Sequence, residues 1–144
     1  MDYDTFVGEV QNRARLPSRE DALRATRITL EPLGRRVDEG VAGNLAAQLP
    51  EEIGRFLAED DATESFEWDG FVDRVVEAGE YGPEDDRGEA VHHARVVLDV
   101  VDDAVTTGAI EDLRDQIAPA DDWNELFALV DQEEKPVEGE QRSE

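Results

Sequence analysis

Two adjacent histidines, His92 and His93, and pairs of neighbouring carboxylates are the residues of this chain best equipped for chemistry. Successive side chains on a helix diverge by about 100°, so the two imidazoles cannot ligate one metal from a single helix. His93 shares a flank with Val97, Val100 and Ala104, and His92 points outward near Asp99. The spacing therefore predicts a half-buried His93 and a solvated His92. A rival reading gathers His92, His93 and Asp99 around a small-molecule or enzymatic cleft. A histidine–carboxylate base needs a nucleophile or a metal beside it, and no pattern supplies one. The pairs Glu51-Glu52, Asp60-Asp61, Asp85-Asp86, Asp102-Asp103 and Asp121-Asp122 fall at caps, loops and helix ends. A catalytic dyad would need burial to drive its two pKa values apart. Glu84-Asp85-Asp86-Arg87-Gly88-Glu89 lacks the alternating ligands of a calcium loop. Cysteine is absent. We expect no catalytic residues, no metal and no cofactor, and favour a non-catalytic role over an enzymatic one.

The arginines carry more information. Arg13, Arg15, Arg19, Arg24, Arg27, Arg35 and Arg36 crowd into one short stretch, opposed there by Glu20, Asp21 and Glu31. One reading is a salt-bridged helix face, since Glu20/Arg24, Arg27/Glu31 and Glu31/Arg35 are four residues apart. The functional reading is a basic patch of Arg13, Arg15, Arg19, Arg24, Arg27 and Arg35 that docks an acidic protein partner. The identity of that partner and the oligomeric state are not written in the sequence. Nucleic acid is disfavoured as a partner, because a formal net charge of −24 opposes approach to phosphates; binding through the arginine stretch is a third reading and would weaken with salt.

That charge arises from 38 Asp and Glu against 14 Lys and Arg, and only one of the 14, Lys135, is lysine. Such a balance suits molar salt, where the Debye length falls to about 3 Å and like charges scarcely repel. We expect a halophilic protein whose second half loosens first at low salt, because its long helix carries Asp99, Asp102 and Asp103 without the set of arginines that neutralises the first long helix. No apolar run approaches the roughly 20 residues of a membrane span. Met1-Asp2-Tyr3-Asp4 has neither the basic region nor the apolar core of a signal peptide. The expectation is a cytoplasmic protein without membrane contact.

The elements that must position these groups occur twice. Ala22-Leu23-Arg24-Ala25-Thr26-Arg27-Ile28-Thr29-Leu30 is matched by Ala90-Val91-His92-His93-Ala94-Arg95-Val96-Val97-Leu98. The same offset pairs Val37 with Val105, Gly40 with Gly108, Gln48 with Gln116 and Leu49 with Ile117. One register held this long marks an internal repeat. Tyr3, Phe6, Val7, Val10 and Ala14 predict a first helix over residues 4–15, and Trp68, Phe71, Val72, Val75 and Val76 its copy. Ser18 with Asp21, and Asp86 with Glu89, form capping boxes that open two long helices, 18–36 and 86–105. Leu23, Thr26, Leu30, Leu33 and Val37 give the first its apolar stripe, and Pro32 predicts a kink. Asp38 and Thr106 cap a third pair of helices. Pro50 and Pro119 open a fourth pair, the second two residues longer, carrying Ile53, Phe56 and Leu57 against Trp123, Leu126 and Phe127. Residues 131–144 are acidic and nearly free of apolar side chains, predicting a disordered tail.

Phe-Val near the start of each copy, a long helix, and then Leu45-Ala46-Ala47-Gln48-Leu49-Pro50-Glu51-Glu52-Ile53 resemble the two-repeat helical family called domain of unknown function 2267. The resemblance covers about residues 3–130, and the second copy departs from it at Leu113-Arg114-Asp115-Gln116-Ile117-Ala118-Pro119. It implies an all-helical fold without an assigned activity. The sequence thus predicts an all-α protein: repeats 3–58 and 68–130 packed with pseudo-twofold symmetry into one domain, residues 1–130, acting as a non-catalytic interaction or scaffold module.

Overall fold

Every helix start that a side chain was expected to cap in the first half of the chain is capped by it. In the computed structural model, which describes residues 1–58, 65–79, 86–117 and 121–134, helix α1 (Tyr3–Ala14) begins where Asp2 accepts a 2.8 Å bond from the Thr5 amide. That bond holds the Asp2 carboxyl below its ordinary pKa. Helix α2 (Arg19–Arg36) opens on Ser18, whose hydroxyl accepts from the Asp21 amide at 3.1 Å. Helix α3 (Glu39–Gln48) opens on Asp38, which accepts from Val41. These bonds satisfy amides that the first helical turn leaves without a partner. Between α1 and α2, Arg15 adopts the left-handed conformation (φ 57°) while the Leu16 amide reaches back to the Gln11 carbonyl. This is the usual geometry of a helix C-terminus, here made by a non-glycine residue.

Helix α4 (Glu51–Ala58) follows Pro50, whose carbonyl accepts from Ile53 and Gly54. The second half supplies α5 (Trp68–Gly79), α6 (Asp86–Ala104), α7 (Thr107–Ile117), a 3₁₀ segment (Asp121–Phe127) and α8 (Ala128–Glu134). Thr106 caps α7 as expected, accepting from Ala109. The side chain of Asp86 and the whole of Pro119 lie outside the described residues, so the second capping box and the second proline stop do too. The protein is all-α, and the described residues contain no strand. Helix α2 runs unbroken through Pro32, which is buried within it.

Helices α2 and α6 lie at the centre. Helix α2 packs against α1, α4, α5 and α6, so its buried surface is wider than the expected stripe: Ala22, Ala25, Ile28 and Thr29 are buried, and Leu23 is only partly covered. Helix α6 buries Ala90, Ala94, Val96, Val97, Leu98, Val100 and Val101, a nearly continuous apolar surface. Buried side chains from both halves join in a single hydrophobic cluster. Contacts between the halves are reciprocal: α1 packs on α6 as α5 packs on α2, and α3 meets α7. The Asp38 amide donates to Gln116 Oε1 at 2.9 Å and the Thr106 amide to Gln48 Oε1 at 2.8 Å. Asp38 and Thr106 are matched positions, as are Gln48 and Gln116, so each bond is the image of the other.

The fourth elements differ. In the first half the chain crosses itself closely at two glycines. A β-carbon on Gly34 would collide with the Leu57 backbone, and one on Gly54 would stand 2.5 Å from the Ala46 carbonyl oxygen. In the second half Ala46 is matched by Arg114, and Gly54 by Asn124. The guanidinium of Arg114 keeps those backbones apart, bonding Asn124 at 3.3 Å and Asp131 at 2.7 and 3.0 Å, and covering the Phe127 ring at 4.5 Å. Residue 131 was expected to begin the disordered tail. Instead α8 continues to Glu134, because Arg114 gives the Asp131 carboxylate a partner that residue types alone do not reveal. Residues 135–144 lie outside the described residues.

Candidate functional site

His93 is 7% exposed and His92 is exposed, their rings 5.9 Å apart, so the outward residue is the one expected and the inward one is buried more deeply than half. Burial lowers the His93 pKa below 6.5, the neighbouring His92 adds to the lowering, and Glu89 and Asp21 oppose it. Beside His93 is a small cleft of about 150 Å³, lined also by Leu16, Asp21, Arg24, Ala25, Ile28 and Gly79. Both halves thus contribute to it. Asp99 does not: it is 3% exposed and held elsewhere, so the grouping of His92, His93 and Asp99 that the rival reading requires does not form.

Asp99 belongs to an ionic cluster that joins the two halves. Arg13 on α1 bonds Asp99 at 2.7 Å, Asp103 at 2.7 Å and Glu9 at 2.9 Å. Burial disfavours the charge of Arg13, but the three carboxylates outweigh it and keep the guanidinium firmly protonated. Two of the three α6 aspartates singled out above, Asp99 and Asp103, are therefore paired with an arginine from the other half of the chain. The sequence reading erred because α1 and α6 are remote along the chain and adjacent in space. The second Asp99 oxygen, Oδ1, is buried without a hydrogen-bond partner among the described residues.

The remaining arginines do not converge on one patch. Arg19 pairs with Asp4 at 3.0 Å, and Arg24 reaches the Gly79 carbonyl at 3.3 Å. Arg15 is exposed at the end of α1, and Arg35 is partly covered. Arg36 turns inward, donating to the Phe66 carbonyl at 2.7 Å and lying 5.8 Å from the ring centre of the buried Trp123. Arg27 opens onto a wider cleft of about 370 Å³, lined by Tyr3, Leu23, Arg27, Glu31, Glu52, Arg55 and Phe56. Its position is set by α1, α2 and α4, and Tyr3, Leu23 and Phe56 supply partly covered apolar walls. The side chains of Arg27 and Arg55 have no hydrogen bond or ion pair among the described residues.

Sequence reasoning missed Arg55, Tyr3 and Phe56 as members of a site, reading Tyr3 and Phe56 only as members of apolar helix stripes. Matching the fourth helices would have singled out Arg55, because its counterpart is Glu125. Of the carboxylate pairs, Glu51 and Glu52 are exposed, and Asp103 serves Arg13. No group of three or more potential ligands able to hold a metal ion occurs among the described residues. Nor is any described helix long and apolar enough to cross a membrane.

No curated protein matches the chain. A family model described as "Uncharacterized conserved protein (DUF2267)" matches residues 3–126, and the chain belongs to that family.

Proposed function

We infer that this member of the family is a non-catalytic interaction module, built from two repeats related by a pseudo-twofold axis, which docks an acidic protein partner through its first half. The reciprocal bonds of Gln48 and Gln116 support the twofold relation. One observation carries the docking reading. Arg13, Arg19 and Arg24 are engaged within the chain, whereas Arg27 and Arg55 open onto a cleft with partly covered apolar walls. Charged groups of this kind give a partner orientation and register more than raw affinity. The net charge of −24 supports a protein that works in a salt-rich cytoplasm.

The test is capture of partners from lysate at molar KCl with the wild-type protein and with Arg27→Gln/Arg55→Gln as paired baits. A specific partner retained by the first and lost by the second supports this reading. Equal retention overturns it. The cleft beside His93 favours a second reading, a site for a very small ligand between the halves. Ligand-observed NMR against a library of small acids and amines, with His93→Gln as the control, decides that one.

A further inference from the structure

The second half contains an occupied version of the cleft that the first half leaves open. Arg95 occupies the α6 position that Arg27 occupies on α2. Its Nε donates to the backbone carbonyl of Glu125 at 2.8 Å, and its Nη2 bonds the Glu125 carboxylate at 2.8 Å. Arg95 thus holds one glutamate residue by both its side chain and its peptide carbonyl. That fork-like use of a guanidinium gives geometric selectivity as well as strength. In the first half the position of Glu125 is taken by Arg55. A carboxylate is replaced by a second guanidinium, and the two arginines share a cleft with Tyr3 and Phe56.

We propose that the Arg27–Arg55 cleft is a recognition site for a glutamate residue of a partner segment, bound through its carboxylate and its backbone carbonyl, with an adjacent apolar side chain resting on Tyr3, Leu23 and Phe56. The proposal rests on the docking reading above and names the chemistry of the partner. Glu31 and Glu52 also line the cleft, so its charge is balanced locally. On a chain of net charge −24 a locally balanced cleft with two guanidinium groups repels an incoming carboxylate less than the rest of the surface does. The flanking glutamates disfavour a compact dianion such as phosphate, which carries more charge and no apolar body.

Isothermal titration calorimetry with a capped peptide containing Phe-Glu, its Phe-Gln analogue, phenylacetate and inorganic phosphate tests the assignment, at 0.1 M and at 1 M KCl. The Phe-Glu peptide binds and its Gln analogue binds about tenfold more weakly or worse, as expected when one member of a charged pair is removed. Arg55→Glu is the informative variant, because it installs the Arg95–Glu125 pair at the matched site; it abolishes peptide binding and leaves the melting temperature equal or higher. Arg27→Gln abolishes binding as well. In the reverse direction, Glu125→Arg opens the second cleft and raises the stoichiometry toward two peptides. If the peptide binds and Arg55→Glu leaves its affinity unchanged, docking of acidic partners stands and this seat is wrong. If no acidic peptide binds at either salt concentration, both readings fall. Binding of phenylacetate or phosphate without the peptide overturns the proposal in favour of a free small anion.

Discussion

Arg13 has three carboxylates, and Asp99 shows what that arrangement demands. The aspartate is 3% exposed, with one oxygen on the guanidinium and the other without a described partner. Removing the arginine leaves a buried anion beside Asp103 and Glu9, so Arg13→Gln destabilises the fold by about 2–4 kcal/mol. Urea unfolding measures it, and adding Asp99→Asn to that variant recovers a substantial part of the loss. A destabilisation below the error of the fit would show the cluster to be superficial. His93 sets a pH dependence of definite sign. Its folded pKa lies below the unfolded value of about 6.5, so the unfolded chain takes up the proton first. Its contribution is therefore complete above pH 6.5 and declines as pH falls through the window below. Melting temperatures recorded between pH 7.5 and 5.5 fall for the wild type and fall less for His93→Gln. Parallel curves would place the pH dependence elsewhere.

At the scale of elements, the two halves use different devices for one crossing. The first brings backbones together over Gly34 and Gly54, and the second separates them with Arg114. Backbone cannot yield as a side-chain tip does, so Gly34→Ala and Gly54→Ala each cost about 1–3 kcal/mol despite alanine's better helix propensity. Gly8 is the internal control, since a β-carbon there meets nothing within 4 Å. Gly8→Ala therefore stabilises by up to about 1 kcal/mol. Thermal unfolding of the three variants separates packing from propensity, and a uniform gain at all three sites would refute the close crossings. Glycines within an apolar-periodic helix are visible in sequence. Which backbone lies over them is not.

The whole molecule is tied across its halves by one hydrophobic cluster, the Arg13–Asp99 bridge and the reciprocal glutamine bonds. We expect the halves to melt together, in one transition, rather than the second half loosening first. The net charge acts on that transition as a unit. At 0.01 M salt the Debye length is about 30 Å and carboxylates repel across the domain, while molar KCl confines repulsion to immediate neighbours. The melting temperature accordingly rises by several degrees or more between these conditions, as circular dichroism melts will show. An unchanged midpoint would remove the argument for salt adaptation, and two resolved transitions would show the halves to be independent.

Local chemistry was decided by the sequence alone. Ser18, Asp38 and Thr106 cap the helices they were expected to cap, Phe6, Val7, Val10 and Ala14 of the α1 stripe are buried, and the all-α class follows from those periodicities. Such features depend on residues three or four apart, whose geometry a helix fixes without reference to the rest of the chain. Tertiary structure decided the pairing of charges and the crossing of backbones. Arg13 meets Asp99 across 86 residues, Arg114 holds Asp131, and the apparent arginine patch is divided among an ionic cluster, a surface pair, an aromatic pocket and an open cleft. Those outcomes depend on the rotation and spacing of helices remote in sequence. A long guanidinium side chain can follow several such arrangements, so its partner is settled only when the helices pack.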